Sequence, residues 1–231
     1  MAHSQTPTEQ IPAGSPFAPT LDHLVIAVPD LAAGIAEFAE LSGAEAVPGG
    51  SHPGLGTANA LLRIRPVGWG ADALTYLEII GPDPEQDPAL AASRLQGVTG
   101  MTLQRWAVHP EDFDATVASA RAAGVDLGEV HDMSRATPDG GTLEWRLTRR
   151  APLALGGVQP FLIDWLDSPH PALIDAPLVE LVDFEALAPD VEATRAALAA
   201  LGAAVMPVHE GDHHGLRATF RSPNGEFTVL T

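Results

Sequence analysis

The chain has no cysteine and no lysine, and a single tyrosine among its 231 residues. Without cysteine there is no disulfide, no thiolate nucleophile, no iron–sulfur cluster and no Cys-ligated zinc. Without lysine there is no lysine Schiff base and no Walker-type phosphate loop. The 12 basic residues are all arginine and face 30 acidic ones, for a formal net charge of −18. That excess of acid argues against nucleic acid and against an anionic membrane as partners, since both attract Lys/Arg-rich surfaces. No run approaches the ~18 apolar residues of a membrane span. Residues 1–20 lack the basic start and apolar core of a secretory signal, so they read as a flexible leader and the protein as cytoplasmic. What is present, 45% hydrophobic and 18% charged residues with 22 Gly and 21 Pro, is a turn-rich globular composition able to bury a core.

The run Leu21–Val28 (LDHLVIAV) predicts a strand, ended by Pro29-Asp30 with Asp30 as the N-cap of a helix. Leu31, Ile35, Phe38 and Leu41 recur at helical spacing over residues 31–41. A short strand over 44–47, a Gly/Pro/His loop (GGSHPGLG) and strands over 58–64 and 74–80 complete a β-α-β-β-β order. The same order returns with a strand over 101–108 and a helix opened by Pro110-Glu111-Asp112, with Phe113, Val117 and Ala120 inward. Strands over 128–133, 142–149 and 158–166 follow, with Asp139-Gly140-Gly141 as the turn before the second of them. A third, shorter copy fits a strand over 178–182, a helix over 190–201 and strands near 204–209, 216–221 and 227–230. This repetition predicts an α+β fold of βαβββ modules, 21–84 and 100–171 paired as one domain and 176–231 as a third unit. One helix covers the outer face of each curved sheet, which leaves the opposite face to line a shared cavity.

His23 shares a strand face with Leu21, Val25 and Ala27 by alternation, and Glu78 stands in the apolar run Tyr76-Leu77-Glu78-Ile79-Ile80. A carboxylate in such a strand needs a proton, a cation or hydrogen-bond donors. A histidine on a neighbouring strand is one such partner, and a metal bound to both is another. His52 lies in a loop able to close over the cavity, and Asn59 offers an amide to a substrate oxygen. Trp106, Trp145 and Trp165 supply either an aromatic wall or core filling. The cluster His209-Glu210-Gly211-Asp212-His213-His214 lacks H-E-x-x-H spacing and reads as an exposed hairpin turn. Gly54-x-Gly56 lacks a third glycine and a following helix, so it makes no dinucleotide site.

The segments LDHLVIAVPDL and TYLEIIGPDP resemble the vicinal oxygen chelate superfamily, which includes glyoxalases, extradiol dioxygenases and antibiotic-resistance binding proteins. GLGTANALLRI and PFLIDWLDSPHP are similar, more narrowly, to its glyoxalase-like domain family, and the resemblance covers residues 21–171. It implies paired βαβββ units forming an open, cupped mixed sheet around a metal or ligand cavity. It also implies a metal held by a His or Gln on each first strand and a carboxylate on each last strand, which points to His23, Glu78 and Asp164. Aligning Ala107–Asp112 with Ala27–Asp30 sets Leu103 opposite His23, and a one-residue slip decides whether Gln104 or Arg105 enters the cavity. One His and two carboxylates suit a divalent Mn, Fe, Ni or Zn ion, whereas Arg105 would put a fixed positive charge in its place. The activity implied is a metal-dependent lyase, isomerase or dioxygenase-like enzyme acting on a small oxygenated molecule. Glu78 or Asp164 would be its general base, and His52, Asn59, Gln104, Arg105, Trp106 and Trp165 would contact the substrate. The alternative is a non-catalytic protein that sequesters a small molecule in the same cup. Open sheet edges leave room for a homodimer.

Overall fold

Every residue of the strand β1 (Leu21–Ala27) is buried, as a strand covered on both faces must be. In the computed structural model, which describes residues 15, 17–92, 94–136, 141–204 and 206–231, β1 is central to a twelve-stranded mixed sheet. After β1 come α1 (Leu31–Ser42), β2 (Val47–His52), β3 (Thr57–Pro66), β4 (Tyr76–Pro82) and a short α2 (Pro88–Ala92). The next unit is β5 (Thr102–Val108), α3 (Phe113–Ala122), β6 (Glu129–Ala136), β7 (Thr142–Arg149) and β8 (Phe161–Asp164). The last is β9 (Leu178–Ala188), α4 (Val191–Ala199), β10 (Val208–Glu210), β11 (Gly215–Ser222) and β12 (Gly225–Leu230). The junctions into α1, α3 and α4 use the same device: Asp30, Asp112 and Asp190 accept from the backbone N–H of Ala33, Ala115 and Ala193. The fold is α+β, and the sheet is open rather than closed into a barrel.

The strand order is β12-β11-β9-β3-β4-β1-β5-β8-β7-β6, with β2 on β3 and β10 on β9. In the first two units the first strand lies parallel to the last, β1 with β4 and β5 with β8. These units join through the antiparallel pair β1–β5. The third unit repeats the element order but not the strand order: β9 pairs antiparallel with β11 and parallel with β10. It attaches through a parallel β3–β9 pair.

One sheet face carries the main core, where Phe38 of α1, Phe113 and Val117 of α3 and Leu198 of α4 pack with Leu24, Ile26, Leu62, Ile79 and Trp106. The other face holds a smaller cluster built on Leu61, Tyr76, Ala107, Trp145, Ile163 and Trp165. Two expectations change. The strand expected over 44–47 instead spans residues 47–52 and takes in the first part of the expected loop, because Gly50, Ser51 and His52 pair with Asn59, Ala58 and Thr57 of β3. Most of the predicted leader, residues 1–14 and 16, lies outside the described residues, as do residues 139 and 140 of the predicted turn. The end of that leader packs onto the body: Phe17 and Ala18 are buried in the main core, and Trp69 Nε1 donates to Ser15 Oγ at 3.1 Å. Among the described residues no helix is long and apolar enough to cross a membrane.

Candidate active site

Alternation along β1 sends Leu24 and Ile26 into the main core and turns Val25 and Ala27 to the opposite face, the face from which His23 lines a cavity. A register irregularity between Leu21 and His23 moves Leu21 to the core side instead. His23 pairs with Tyr76, while Val25 lies between Glu78 on β4 and Arg105 on β5. His23, Glu78 and Arg105 therefore rise from three adjacent strands onto one wall of a cavity of about 170 Å³. That is more than ten times the ~10–15 Å³ a single water needs, so a small organic molecule can enter.

Asp22, fully buried, anchors the wall from behind. Its Oδ1 lies 2.5 Å from His23 Nδ1, and its Oδ2 is 3.0 Å from both Trp165 Nε1 and His170 Nε2. Burial alone would raise the Asp22 carboxyl, but His170 and His23 outweigh it and hold the group well below the usual carboxylate range. With Nδ1–H donated to Asp22, the hydrogen-bond network assigns His23 the tautomer whose Nε2 lone pair faces the cavity, 3.9 Å from Glu78 Oε2. The ring is fixed by stacking on Tyr76 at 4.4 Å and by the edge of Phe161 at 5.3 Å between centroids.

Glu78 accepts from Asn59 Nδ2 at 2.7 Å and lies 3.6 Å from His52 Nε2. Burial pushes its carboxyl up, but His52, His23 and Arg94, with the Asn59 bond, bring it down to about 2, so it is ionised at neutral pH. Burial lowers His52 to about 4, helped by Arg94, Arg135 and Arg105 against the pull of Glu78, so this imidazole is neutral. Burial, Asp22 and Glu78 raise the Tyr76 phenol, which stays protonated. Arg105 is pushed down by burial and by Arg94 to about 9 and remains a cation at pH 7. The chain passes behind Asn59 at Gly49, where a Cβ would collide with Asn59 Oδ1, so only glycine leaves the Asn59–Glu78 bond in place.

A family model described as a glyoxalase-like domain matches residues 21–216. The chain belongs to the glyoxalase-like domain family. The family lies within the vicinal oxygen chelate superfamily. A hypothetical protein from Staphylococcus aureus superposes with a TM-score of 0.57, covering 91% of this chain and 84% of that one at 14% identity. This is a likeness of fold. Methylmalonyl-CoA epimerase from Streptomyces coelicolor is 25% identical over 62% of this chain and 95% of that one, with a TM-score of 0.42. The Mycobacterium tuberculosis enzyme of the same name is 20% identical over 71% of this chain and 97% of that one, with a TM-score of 0.42. No curated protein sequence is significantly similar to the chain.

In this glyoxalase-like domain the cavity brings together His23, His52, Asn59, Glu78, Arg105 and Trp165 of the residues expected from sequence. Asp164 is not among them. Along β8, Phe161, Ile163 and Trp165 line the cavity, so Asp164 falls on the helix side with Leu162, where it accepts from Arg146 Nε at 2.9 Å. Arg146 reaches Asp114 of α3 as well, and Asp164 does not line the cavity where a ligand or base would be needed. Trp106 is not at the cavity either: it fills the main core, its Nε1 donating to Val158 O at 2.8 Å. The open question of Gln104 or Arg105 is resolved by an irregularity in β5, where Ile26 pairs with Leu103 and Val25 with Arg105. Leu103 goes to the core, Arg105 enters the cavity, and Gln104 Nε2 donates to Arg94 O at 2.9 Å. Gly157, at φ 99°, packs so closely on Gln104 O that no side chain fits there.

The sequence reading missed Asp22, Arg94 and Arg135. Asp22 carried the same signal as Glu78, an acid inside an apolar strand. Arg94 follows a helix of five residues and carried none. The His209–His214 cluster lies away from the cavity, with His209 exposed and its Nε2 3.3 Å from Glu185 Oε2.

Superfamily members commonly use a divalent metal. The donors here do not fit one. Ligands ~2.1 Å from one ion stand ~3.0–3.4 Å apart, whereas the His52 and His23 nitrogens are 3.6 and 3.9 Å from the Glu78 oxygens, one of which is occupied by Asn59. Among the described residues no group of three His, Asp or Glu side chains is placed to hold a metal ion. Adding Mn, Fe(II), Ni or Zn to chelator-treated protein is accordingly expected to leave the thermal midpoint unchanged. A rise of several degrees that disappears in His23→Ala would show that the site closes around an ion after all.

Proposed function

We propose that this protein is an enzyme, an isomerase or lyase, that moves a proton on a small oxygenated molecule bound in the cup. The observation that carries this reading is His23: its Nδ1 is tied to the buried Asp22 and its Nε2 opens onto the cavity beside an ionised carboxylate. In this reading His23 Nε2 removes a proton from a carbon next to a carbonyl, as a positioned general base. Asp22 and Glu78 stabilise the imidazolium that forms. The charge that gathers on the substrate oxygen faces the guanidinium of Arg105, a preorganised cation in a water-poor site. His52, being neutral, serves as a hydrogen-bonding group rather than a charge. No step is routed through a metal.

The test is solvent exchange. A panel of small 2-oxo and 2-hydroxy carbonyl compounds in D2O, followed by NMR, is expected to show enzyme-dependent deuterium uptake at one carbon. His23→Gln is expected to slow that uptake by about 10²–10⁴-fold. Exchange from no compound, or an unchanged rate in His23→Gln, overturns the reading. The alternative, a sequestering protein, is favoured by one observation, the unpartnered guanidinium groups described below, and would be selected by tight binding without exchange.

A further inference from the structure

Among the described residues, five of the twelve arginines, residues 94, 105, 135, 149 and 150, line the cavity, against a single carboxylate, Glu78. In a chain of net charge −18 this reverses the balance of the whole molecule. The cations are not there to neutralise one another's neighbours. Arg150 is engaged by Asp126 at 2.8 Å, but neither Arg94 nor Arg105 forms an ion pair among the described residues. Arg94 Nη1 has only a long bond to Thr57 Oγ1 at 3.4 Å, and Arg105 stands over the Phe161 ring at 5.9 Å. Arg94 Nε, Arg105 Nε and Arg105 Nη2 are shut off from solvent with no hydrogen-bond partner among the described residues. Guanidinium N–H groups buried without an acceptor destabilise the empty protein, and the part of each half-buried group that faces the cavity is open to an acceptor from outside. Glu78 does not fill that role, because its oxygens are turned to Asn59, His52 and His23.

We infer that Arg94 and Arg105 form an oxyanion subsite, and that the molecule bound in the cup carries a carboxylate or a phosphate group that they grip. A planar fork with several N–H donors matches either group, and a neutral carbonyl compound would leave the charges uncompensated. Arg135 and the exposed Arg149 add a cationic approach that draws such an anion through the field of an acidic protein. The inference deepens the proton-transfer reading by naming the substrate class. The subsite itself also serves a sequestering protein.

Titration calorimetry with malonate, inorganic phosphate and uncharged malonamide tests it. Binding of malonate but not malonamide identifies a carboxylate subsite, and binding of phosphate in preference to malonate identifies a phosphate subsite. Arg105→Met and Arg94→Met are each expected to weaken the anion about tenfold or more. Arg105→Met is also expected to raise the thermal midpoint of ligand-free protein by ~2–4 °C, which shows that the variant folds and that the unpaired charge was a cost. Should either variant fail to fold, the salt dependence of anion binding to the unaltered protein decides. Absence of binding by both anions, equal binding of malonamide, or affinity indifferent to salt overturns the inference. The two readings fail separately: exchange from a neutral ketone without anion binding removes the subsite alone, and anion binding without any exchange removes the enzyme alone.

Discussion

Asp22→Ala is expected to cost about 3–5 kcal/mol of folding free energy, the range for leaving buried charge partners uncompensated, and to lower the thermal midpoint by roughly 10 °C for a chain of this size. One carboxylate serves three buried donors on three separate stretches of chain: His23 in β1, Trp165 just after β8 and His170 beyond it. Alanine leaves all three without an acceptor, and the nearest other titratable group, His109 at 3.8 Å, is itself a partner of Asp22 and not a replacement. Asp22→Asn keeps the shape but sets an amide donor against nitrogen donors, so an intermediate loss is expected. The pH dependence has a definite sign. The folded carboxyl lies below the unfolded value, so its stabilisation is complete above the unfolded pKa near ~3.9 and is lost as pH falls below it. Urea unfolding between pH 2.5 and 7 should therefore show a flatter acid limb in Asp22→Ala than in the unaltered protein. A loss under 1 kcal/mol would mean that water satisfies the three donors. The same variant frees the His23 tautomer, so deuterium exchange is expected to fall even in the folded fraction.

Much of this frame was legible because local chemistry and packing agree. The Asp-opened helices, the apolar run of β1 and the repeated β-α-β-β-β order each rest on short-range patterns that the folded chain keeps. His23 and Glu78 stood out because a polar group in an apolar strand demands a partner. Asp164 entered through the resemblance, as the last-strand counterpart of Glu78, and the frame of alternation in β8 depends on where pairing begins: Ile163 rather than Asp164 took the cavity side. The irregularity that selects Arg105 is set by the facing strand β1, which residues 101–108 alone do not reveal. His52 was placed in a loop because Gly-Gly-Ser-His-Pro-Gly is turn chemistry, yet β3 supplies enough pairing to make residues 47–52 a strand. The third unit shows the limit most plainly: its order of elements follows from sequence, but which strand lies beside which is decided by contacts with β3.

Glu78→Gln should separate the charge of this residue from its shape. Glutamine keeps an oxygen for Asn59 Nδ2 and the same volume, but the cavity loses its single carboxylate while Arg94, Arg105 and Arg135 remain. The carboxyl sits at about 2 in the folded protein against 4.5 ordinarily, so folding stabilises its ionised form. That stabilisation is present above the unfolded pKa and is lost as pH falls from there toward about 2. Glu78→Gln is therefore expected to be less stable at pH 7 by an amount that shrinks toward zero only as pH falls to about 2 and below, where the native side chain is protonated too. A difference that stays constant across this range would trace the loss to packing instead. His52, deprived of the one charge that pulls its pKa up, becomes harder still to protonate. Catalysis is expected to drop on the order of 100-fold, because the imidazolium formed at His23 loses its cavity-side counter-charge while keeping Asp22. The five arginines left in place give the variant a further signature: malonate or phosphate should stabilise Glu78→Gln more than the unaltered protein, since the bound anion then supplies the negative charge that position 78 has lost. If added anion stabilises both forms equally, the arginines and Glu78 do not share one field, and the wall described here is a set of independent contacts rather than a single site.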